Sequence, residues 1–468
     1  MPQRLSGLDA TWIYLETRTA HMHVGSVIVL DPSTAPGGTL TRDAMAEYLR
    51  TRLHLAPPFR RRLVQVPLRL AHPLWIEDPD FDLDHHVRRA VLPAPGGLAE
   101  LAELAGDVMG RQLDRTRPLW ELWVVEGLED GRVALITKTH HAAVDGVSGM
   151  ELATAILQFA PDQQPPPPQT EWEPEAEPGD LRLLVGAGVN AATFPLQVAR
   201  TGRRAVESAA ALLAVGRRQD DPPPAPFAAP PTPWNGAIGP HRRVALAELA
   251  LDDVKRIKGS LGGTVNDVVL AAVAGSLRSY LLAAGDPADA PLVAMVPISV
   301  RTPDQSGAMG NRVSSMLVAL PSDVEDPVER LERVTRSTAG AKQTHGALGA
   351  ETIQQVAELA PASIMSLAAR LYTRTRAADR HRPIWNTVVS NVPGPRFPLW
   401  CAAARLEAMY PLGPIHEMNG LNITLFSYLD TVFVGINADR DLLPDVDRIA
   451  AGLLDAVAAM AKAADQRV

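Results

Sequence analysis

The amino-acid sequence predicts an α+β fold built from two subdomains, and three observations favour this class. The chain has 468 residues, which is too long for one ordinary hydrophobic core. Hydrophobic residues make up 46% of it and charged residues 21%, a composition typical of folded globular proteins. Each half mixes predicted strands with amphipathic helices but lacks a regular βαβ repeat, so we do not expect a doubly wound parallel sheet.

Composition divides the chain into three parts. Two proline-rich tracts bracket a helix-prone segment that carries several arginines. We therefore predict an N-terminal subdomain at residues 1–160, a proline-rich and helical linker at 161–239, and a C-terminal subdomain at 240–468. The helix-prone segment either straps the two subdomains together or lies in a membrane interface. Its small apolar residues and its lack of aromatic anchors favour the strap.

The N-terminal part contains both strand and helix patterns. Residues 22–30 predict a strand, Thr41 predicts the start of a helix, and residues 98–109 predict a second amphipathic helix. Two apolar runs, 120–126 and 132–138, flank an Asp-Gly pair. This arrangement predicts a β-hairpin, because Asp-Gly suits the positive φ angles of a tight turn.

The C-terminal part mixes the same two patterns. Strands are predicted at 291–300, 311–320 and 386–392, with a hairpin across Asp430. Helices are predicted around Val254 and Ile257, after a cap at Thr264, and from Pro444 to the C-terminal end, where Val446, Ile449, Leu453, Val457 and Met460 share one face.

Charge and cysteine content limit the classes of function. The formal net charge is -8, so the chain lacks the basic field that nucleic-acid binding requires. The single cysteine, Cys401, matches a reducing compartment. The N-terminal residues lack the apolar core of a signal peptide, and no run approaches the length of a membrane span. We expect a cytoplasmic protein, with contact to a membrane surface left open.

One polar motif stands out, Thr139-His140-His141-Ala142-Ala143-Val144-Asp145-Gly146, directly after the second strand of the predicted hairpin. A histidine there can act as a general base, because imidazole titrates near neutrality. A metal site is disfavoured, because adjacent strand residues diverge and no second ligand cluster has suitable spacing. A serine triad is disfavoured because no Gly-x-Ser-x-Gly elbow occurs. The spacing does not decide which histidine faces a cavity, and a second pair, His85-His86, lacks the acid and the glycine.

The string from His140 to Gly146 matches the HHxxxDG motif of the coenzyme-A-dependent acyltransferase superfamily. Further blocks, in the same order, resemble the bacterial wax ester synthase/diacylglycerol acyltransferase family, in particular its actinobacterial triacylglycerol synthases. These blocks are MHVG at 22–25, PLWE at 118–121, NG at 235–236, IGPHR at 238–242, ND at 266–267, VPISVR at 296–301, GNR at 310–312, SNVPGP at 390–395 and GLNI at 420–423. Residues 161–232 carry little of this resemblance.

The resemblance implies two chloramphenicol-acetyltransferase-like subdomains joined by a crossover. His141 would lie in a tunnel entered from both sides, with acyl-CoA on one side and the acceptor alcohol on the other. His141 would deprotonate the hydroxyl group, which attacks the thioester without an acyl-enzyme. Asp145 would turn away and pair with Arg301, while His140 and Gly146 would support the motif. Neither a metal nor another cofactor is implied.

The resemblance also suggests how the remaining site residues act. Asn266 would stabilise the tetrahedral oxyanion, an effect worth about 3 kcal/mol in acyl transfer; an asparagine at this point also suits a helix cap, so both roles stay open. Tunnel or crossover elements would include Pro118, Leu119, Trp120, Ser390 and Asn391. Plain packing explains each of these five equally well when it is taken singly.

We therefore expect an acyl-CoA-dependent O-acyltransferase that makes triacylglycerol from diacylglycerol, or wax ester from a long-chain alcohol. One alternative is a transferase for another alcohol or for a carrier-bound lipid intermediate. Another, from a different class, is a catalytically silent lipid-binding or lipid-droplet protein. The intact histidine motif argues against the silent alternative. Expected partners are acyl-CoA, the acceptor alcohol and, as a further option, the surface of a membrane or lipid droplet.

Overall fold

The computed structural model describes residues 2–144, 156–168, 172–181, 183–184, 224–225, 227–286, 289–299, 313–348 and 362–467. Its strands are β1 (Gln3–Arg4), β2 (His23–Asp31), β3 (Arg61–Val64), β4 (Leu74–Glu77), β5 (Val87–Val91), β6 (Trp120–Glu126), β7 (Val133–His140), β8 (Arg242–Ala250), β9 (Leu292–Ser299), β10 (Val313–Leu320), β11 (Thr387–Pro393), β12 (Trp400–Cys401), β13 (Ala404–Leu412), β14 (Leu421–Tyr428) and β15 (Thr431–Asp439). Its helices are α1 (Gly7–Leu15), α2 (Arg42–Arg50), α3 (Leu83–His86), α4 (Leu98–Met109), α5 (His141–Val144), α6 (Leu251–Leu261), α7 (Val265–Ala283), α8 (Pro327–Leu348), α9 (Ala362–Arg374) and α10 (Asp447–Asp465).

The first large sheet has six strands in the order β12-β13-β2-β7-β6-β5. Within it, β6 and β7 run antiparallel, with Trp120 opposite Thr139. Asp130 and Gly131 turn the chain with positive φ angles of 63° and 72°, a conformation that suits these two residue types. The hairpin predicted from the Asp-Gly pair is therefore confirmed, and β7 delivers the histidine motif to the end of this sheet.

The second large sheet also has six strands, in the order β10-β9-β11-β14-β15-β8. It is mixed, because β11 runs parallel to both β9 and β14 while the other pairs are antiparallel. Tyr428 lies opposite Thr431, so Leu429 and Asp430 alone close the predicted hairpin. The three other strands predicted for the C-terminal part are confirmed within the described residues.

The chain crosses from one sheet to the other near residue 400. Strand β13 belongs to the C-terminal part of the sequence, yet it pairs antiparallel with β2 of the first sheet, from Arg405 opposite Asp31 to Leu412 opposite Gly25. It also contacts β14 and β15 of the second sheet. A side chain at Gly435 would meet the carbonyl oxygen of Pro411 at 1.9 Å, so the two backbones approach closely there. Residues 400–412 thus fall in the C-terminal subdomain as it was predicted along the chain, but their strands belong to the first sheet.

Helix α7 is the central helix of the second core. Thr264 caps it, and Asp267 returns a hydrogen bond to the backbone of Thr264, which completes a capping box. Its 19 residues are apolar enough to cross a membrane by length and composition, but 72% of that stretch is buried within the protein. Burial on this scale is typical of a core helix packed against a sheet.

The other helices predicted from periodicity are confirmed where the structure describes them. α2 begins after its Thr41 cap, α4 spans the predicted residues, and α6 buries Val254 and Ile257. The last helix begins at Asp447 and not at Pro444. Residues 444–446 form a turn, in which Asp445 accepts a hydrogen bond from the hydroxyl group of Tyr280.

Helix α1 and a small third sheet, ordered β1-β4-β3, were not predicted. Residues 10–15 of α1 are apolar almost without interruption, so they show no helical stripe. The available signal was local: the side chain of Ser6 accepts a hydrogen bond from the backbone of Asp9, which is an N-cap pattern.

Candidate active site

The motif histidines lie where β7 ends and α5 begins. His140 is the last residue of β7 and lies opposite His23 of β2. The backbone N–H of His140 donates to the carbonyl of Leu119, and that of His141 donates to the carbonyl of Met22 at 2.8 Å. Both residues are thus anchored by their backbones to neighbouring strands, and their prediction at the end of a strand within a sheet is confirmed.

The two rings have different surroundings. His140 is 1% exposed, whereas His141 is half-buried. The ring of His141 stacks on the indole of Trp12, with centroids 4.0 Å apart and planes inclined by 19°. His141 is therefore the motif histidine that is open to a ligand, a choice that spacing alone did not make.

The protonation state of His140 follows from its contacts. Its Nδ1 accepts a hydrogen bond from the backbone N–H of Ala142 at 3.1 Å, so this nitrogen carries no proton. Burial lowers the pKa of His140, and the positive charge of Arg115 lowers it further, against the opposing effect of Glu16. The ring is neutral, with its proton on Nε2, 3.3 Å from Oε2 of Glu16.

Glu16 is the buried carboxylate behind the motif. It accepts a hydrogen bond from Nε of Arg115 at 2.7 Å and a second, shorter one from Nη2 of the same guanidinium. Burial alone would raise the pKa of Glu16, but His140 and Arg115 outweigh burial and lower it. The carboxylate is ionised at neutral pH and forms a charged partner for both groups.

Further histidines extend this polar interior. His23 packs edge-on to His140 at 6.2 Å, and His21 stacks on His23 at 5.5 Å. Burial lowers the pKa of His21 to about 4, and the nearby Arg242 adds to the effect. Burial lowers the pKa of His23 well below its usual value, and the positive charge of Lys138 lowers it further. The rings of His21 and His23 are therefore neutral at pH 7.

Asn266 and Asn391, predicted at separate points of the site, lie together. Nδ2 of Asn391 donates to Oδ1 of Asn266 at 3.5 Å. The cap of α7 is made by Thr264 and Asp267, so Asn266 does not provide it. The side chain of Asn266 is partly exposed at the first turn of α7. Of the two roles left open for Asn266, capping is excluded and the catalytic role stays a prediction.

The N-terminal residues that were predicted to line a tunnel are buried beside the motif. Leu119 packs in one cluster with Ala142 and Ala143. Trp120 stacks on Phe59 with centroids 4.6 Å apart, and its indole N–H donates to the carbonyl of the same residue. Pro118 is also buried. These contacts are packing contacts that support the end of β7.

Other predicted residues lie elsewhere. Ser390 lies on β11 opposite Thr424, next to Asn391. Asp145, Gly146 and Arg301 lie outside the described residues, so their predicted roles stay predictions. Within the described ranges, no group of three His, Cys, Asp or Glu side chains could hold a metal ion.

Sequence reasoning missed two residues that touch the histidines, Trp12 and Glu16. Trp12 lies in the last turn of α1 and Glu16 is the residue that follows the helix, and both contacts join residues more than a hundred positions apart. Their spacing of four residues, one helical turn, was the available signal. Nothing in the local pattern showed which part of the chain this turn would meet.

The fold and this site define a class, a protein of two six-stranded sheets with a half-buried motif histidine at the end of a central strand. The profile of the wax ester synthase/diacylglycerol acyltransferase catalytic domain matches residues 5–269, and that of the WS/DGAT C-terminal domain matches residues 309–461. The chain belongs to this WS/DGAT family, as its motif blocks predicted.

Individual relatives support the same assignment along the whole chain. A Mycobacterium tuberculosis protein provisionally named diacylglycerol O-acyltransferase is 38% identical, covering 99% of this chain and 91% of its own length. A second one from that organism is also 38% identical, over 93% of this chain and 92% of its own. The solved wax ester synthase/diacylglycerol acyltransferase of Marinobacter aquaeolei VT8 superposes with a TM-score of 0.69 at 30% identity, covering 99% of this chain and 100% of that one.

A more distant solved structure shows the fold alone. The trichothecene 15-O-acetyltransferase of Fusarium sporotrichioides matches with a TM-score of 0.59 at 14% identity, over 98% of this chain and 95% of that one. The predicted α+β class with two acyltransferase-like subdomains is confirmed.

Proposed function

We propose that this protein transfers a long-chain acyl group from acyl-CoA to the hydroxyl group of diacylglycerol or of a long-chain alcohol. The observation that carries the proposal is the half-buried His141 of the HHxxxDG motif, held at the strand end while its neighbour His140 is buried and neutral. The names of its relatives support the acceptor class, and the preferred alcohol is a matter for experiment.

The chain's own residues account for a direct transfer. His141 removes the proton of the acceptor hydroxyl as its oxygen attacks the carbonyl carbon of the thioester. The C–O bond forms and the carbonyl becomes a tetrahedral oxyanion. When this collapses, the C–S bond breaks and the departing thiolate of coenzyme A takes the proton from the imidazolium. The ester is released, and no acyl group is bound to the enzyme.

Asn266 is our candidate for stabilising the oxyanion. Its Oδ1 accepts a hydrogen bond from Asn391, which leaves its amide N–H groups to face a ligand. Its place at the first turn of α7 adds the positive end of a helix of 19 residues. Replacement by alanine should reduce kcat by about 10²–10³-fold, the usual cost of removing one such donor.

The activity is tested by following thiol release from palmitoyl-CoA with diacylglycerol or hexadecanol as acceptor. We expect release that depends on the acceptor and yields triacylglycerol or wax ester. If ester formed only with another hydroxyl compound, that compound would replace diacylglycerol and the long-chain alcohol as the proposed acceptor. A folded protein that releases no thiol but binds lipid would support the catalytically silent alternative and overturn the proposal.

We also propose that the protein meets its acceptor at a lipid surface on the cytoplasmic side, because the expected acceptors are insoluble in water. Three leucines support this contact: Leu68 is 82% exposed, Leu367 66% and Leu371 57%. Helix α9, which carries the last two, contacts the turn at 67–69. Exposed apolar residues that lie together mark interaction surfaces.

The charge beside these leucines suits an anionic lipid. Residues 370–382 contain five arginines and one aspartate, in a chain whose formal net charge is -8. Each arginine near an anionic surface contributes about 1 kcal/mol of attraction. The double substitution Leu68→Ser/Leu371→Ser should weaken binding to phosphatidylglycerol vesicles, while Leu454→Ser, at an exposed leucine of α10, should not. Equal binding by all three proteins would refute this surface.

A further inference from the structure

One helix contacts both histidines of the motif. Trp12 and Glu16 are four residues apart, and Glu16 is the C-cap of α1, with its backbone N–H bonded to the carbonyl of Trp12. The indole of Trp12 lies against the ring of His141, and the carboxylate of Glu16 lies beside His140. Residues at this spacing lie on the same side of a helix, so a single rigid element reaches both rings.

The helix is itself held in place beside the motif. Ala10, Ile13 and Tyr14 of α1 form one buried cluster with Ala142 and Ala143 of α5. Arg115, about a hundred residues away in the sequence, also holds the end of α1, because its guanidinium donates both to Glu16 and to the carbonyl of Ile13 at 3.1 Å. Movement of α1 would therefore move the partners of both histidines together.

The contacts of Glu16 and Trp12 restrict the motion of different histidine rings. On the Glu16 side, Nδ1 of His140 accepts a hydrogen bond from the Ala142 N–H, which defines the tautomer, and Nε2 lies 3.3 Å from the carboxylate. On the Trp12 side, the flat stack restricts the rotation of the His141 ring. An indole face also attracts a cation, so it favours the imidazolium that forms when His141 takes a proton.

We infer that α1 is a positioning element for the catalytic base, in which Trp12 orients His141 directly and Glu16 orients it through His140. This inference rests on the proposed role of His141. Orientation matters to rate, because a displacement of about 1 Å at a reacting group can cost on the order of 100-fold. Neither Trp12 nor Glu16 removes a proton from the substrate.

The test for Trp12 uses two substitutions and one matched control on the same helix. Trp12→Ala should reduce kcat by about 10–100-fold and change KM for acyl-CoA by less than about threefold, because orientation and not binding is lost. Trp12→Phe keeps a flat ring and should restore kcat to within about threefold of wild type. Ile13→Ala, at a buried residue of the same helix, should lower Tm without lowering kcat.

Several outcomes would overturn the inference. Wild-type kcat in Trp12→Ala would do so, and so would an equal fall in kcat for Ile13→Ala. A loss in Trp12→Phe as large as in Trp12→Ala would transfer the role to the indole N–H, which is buried and makes no hydrogen bond within the described part of the chain. His141→Ala, assayed in parallel, distinguishes a failure of the inference about α1 from a failure of the proposed function. Full activity in that variant would refute His141 as the base.

Glu16 is tested by spectroscopy as well as by rate. In ¹⁵N-histidine spectra of the wild-type protein, His140 should be neutral with its proton on Nε2 at pH 7 and should take up a second proton only at a lower pH than a free imidazole. Glu16→Gln should alter the His140 signals and reduce kcat by about tenfold, with KM nearly unchanged. Unaltered His140 signals in a folded Glu16→Gln protein, or a fully active one, would contradict the role of Glu16.

Discussion

The chain contains two adjacent histidine pairs whose surroundings differ. In the first pair, His86 is buried in a stack with Trp120, with centroids 4.5 Å apart, and its Nδ1 bonds the carbonyl of Trp120 at 2.8 Å. Its neighbour His85 lies near arginines; burial, then Arg117 and Arg88, lowers its pKa. This pair packs beside β5, and within the described residues no carboxylate makes a hydrogen bond to either ring.

The motif pair is built in another way. Its buried member, His140, lies beside the ionised carboxylate of Glu16, and its half-buried member, His141, lies on an aromatic face. The pairing of two histidines is thus common to both regions and carries no function by itself. A carboxylate behind one ring and an open, oriented second ring distinguish a candidate base from a packing residue.

The largest expected effect is a difference in activity between substitutions of the two half-buried histidines, His141 and His85. His141→Ala should lower kcat for ester formation by about 10²–10⁴-fold, the usual contribution of a general base. His85→Ala should leave kcat unchanged, and both variants should keep the wild-type Tm within a few degrees. Thiol release and thermal unfolding measure the two quantities. More than a tenth of the wild-type activity in His141→Ala would contradict the assignment.

An intermediate effect is expected for His140. His140→Ala removes the acceptor for the backbone N–H of Ala142 and leaves Glu16 with Arg115 alone. We expect kcat to fall by about 10–100-fold and Tm to fall as well, because a buried donor loses its partner. The matched variant His86→Ala should lower Tm but not kcat. If His86→Ala lost as much activity as His140→Ala, the distinction between the pairs would fail.

The smallest effect concerns stability in acid. Burial lowers the pKa of His86 to about 4, whereas an unfolded histidine takes up a proton near its usual value of 6.5. Between these values the unfolded state binds more protons, so the free energy of unfolding decreases as pH falls from about 6.5 towards 4. Replacing His86 by phenylalanine should keep the stack and reduce the fall in Tm between pH 7 and pH 5. An unchanged pH dependence would show that His86 does not contribute; His21, also with a pKa near 4, should then dominate.

Much of the fold was predictable because its signals are local. The hairpin of β6 and β7 followed from an Asp-Gly pair between two apolar runs, and α4 from an apolar stripe. Helix α1 was missed because residues 10–15 are apolar almost without interruption, so no helical stripe appeared. The start of the last helix was placed three residues early, at Pro444, because the bond between Asp445 and Tyr280 that holds the preceding turn joins distant residues.

By itself the sequence determined the class of fold, the position of the histidine motif at a strand end, and membership of the acyltransferase family. These depend on neighbouring residues or on ordered blocks, which can be recognised along a chain. Only the tertiary structure decided that His141 is the open ring and His140 the buried one. It alone brought Glu16 and Trp12 to them and paired Asn266 with Asn391. Such contacts come from the packing of distant segments, which no local spacing encodes.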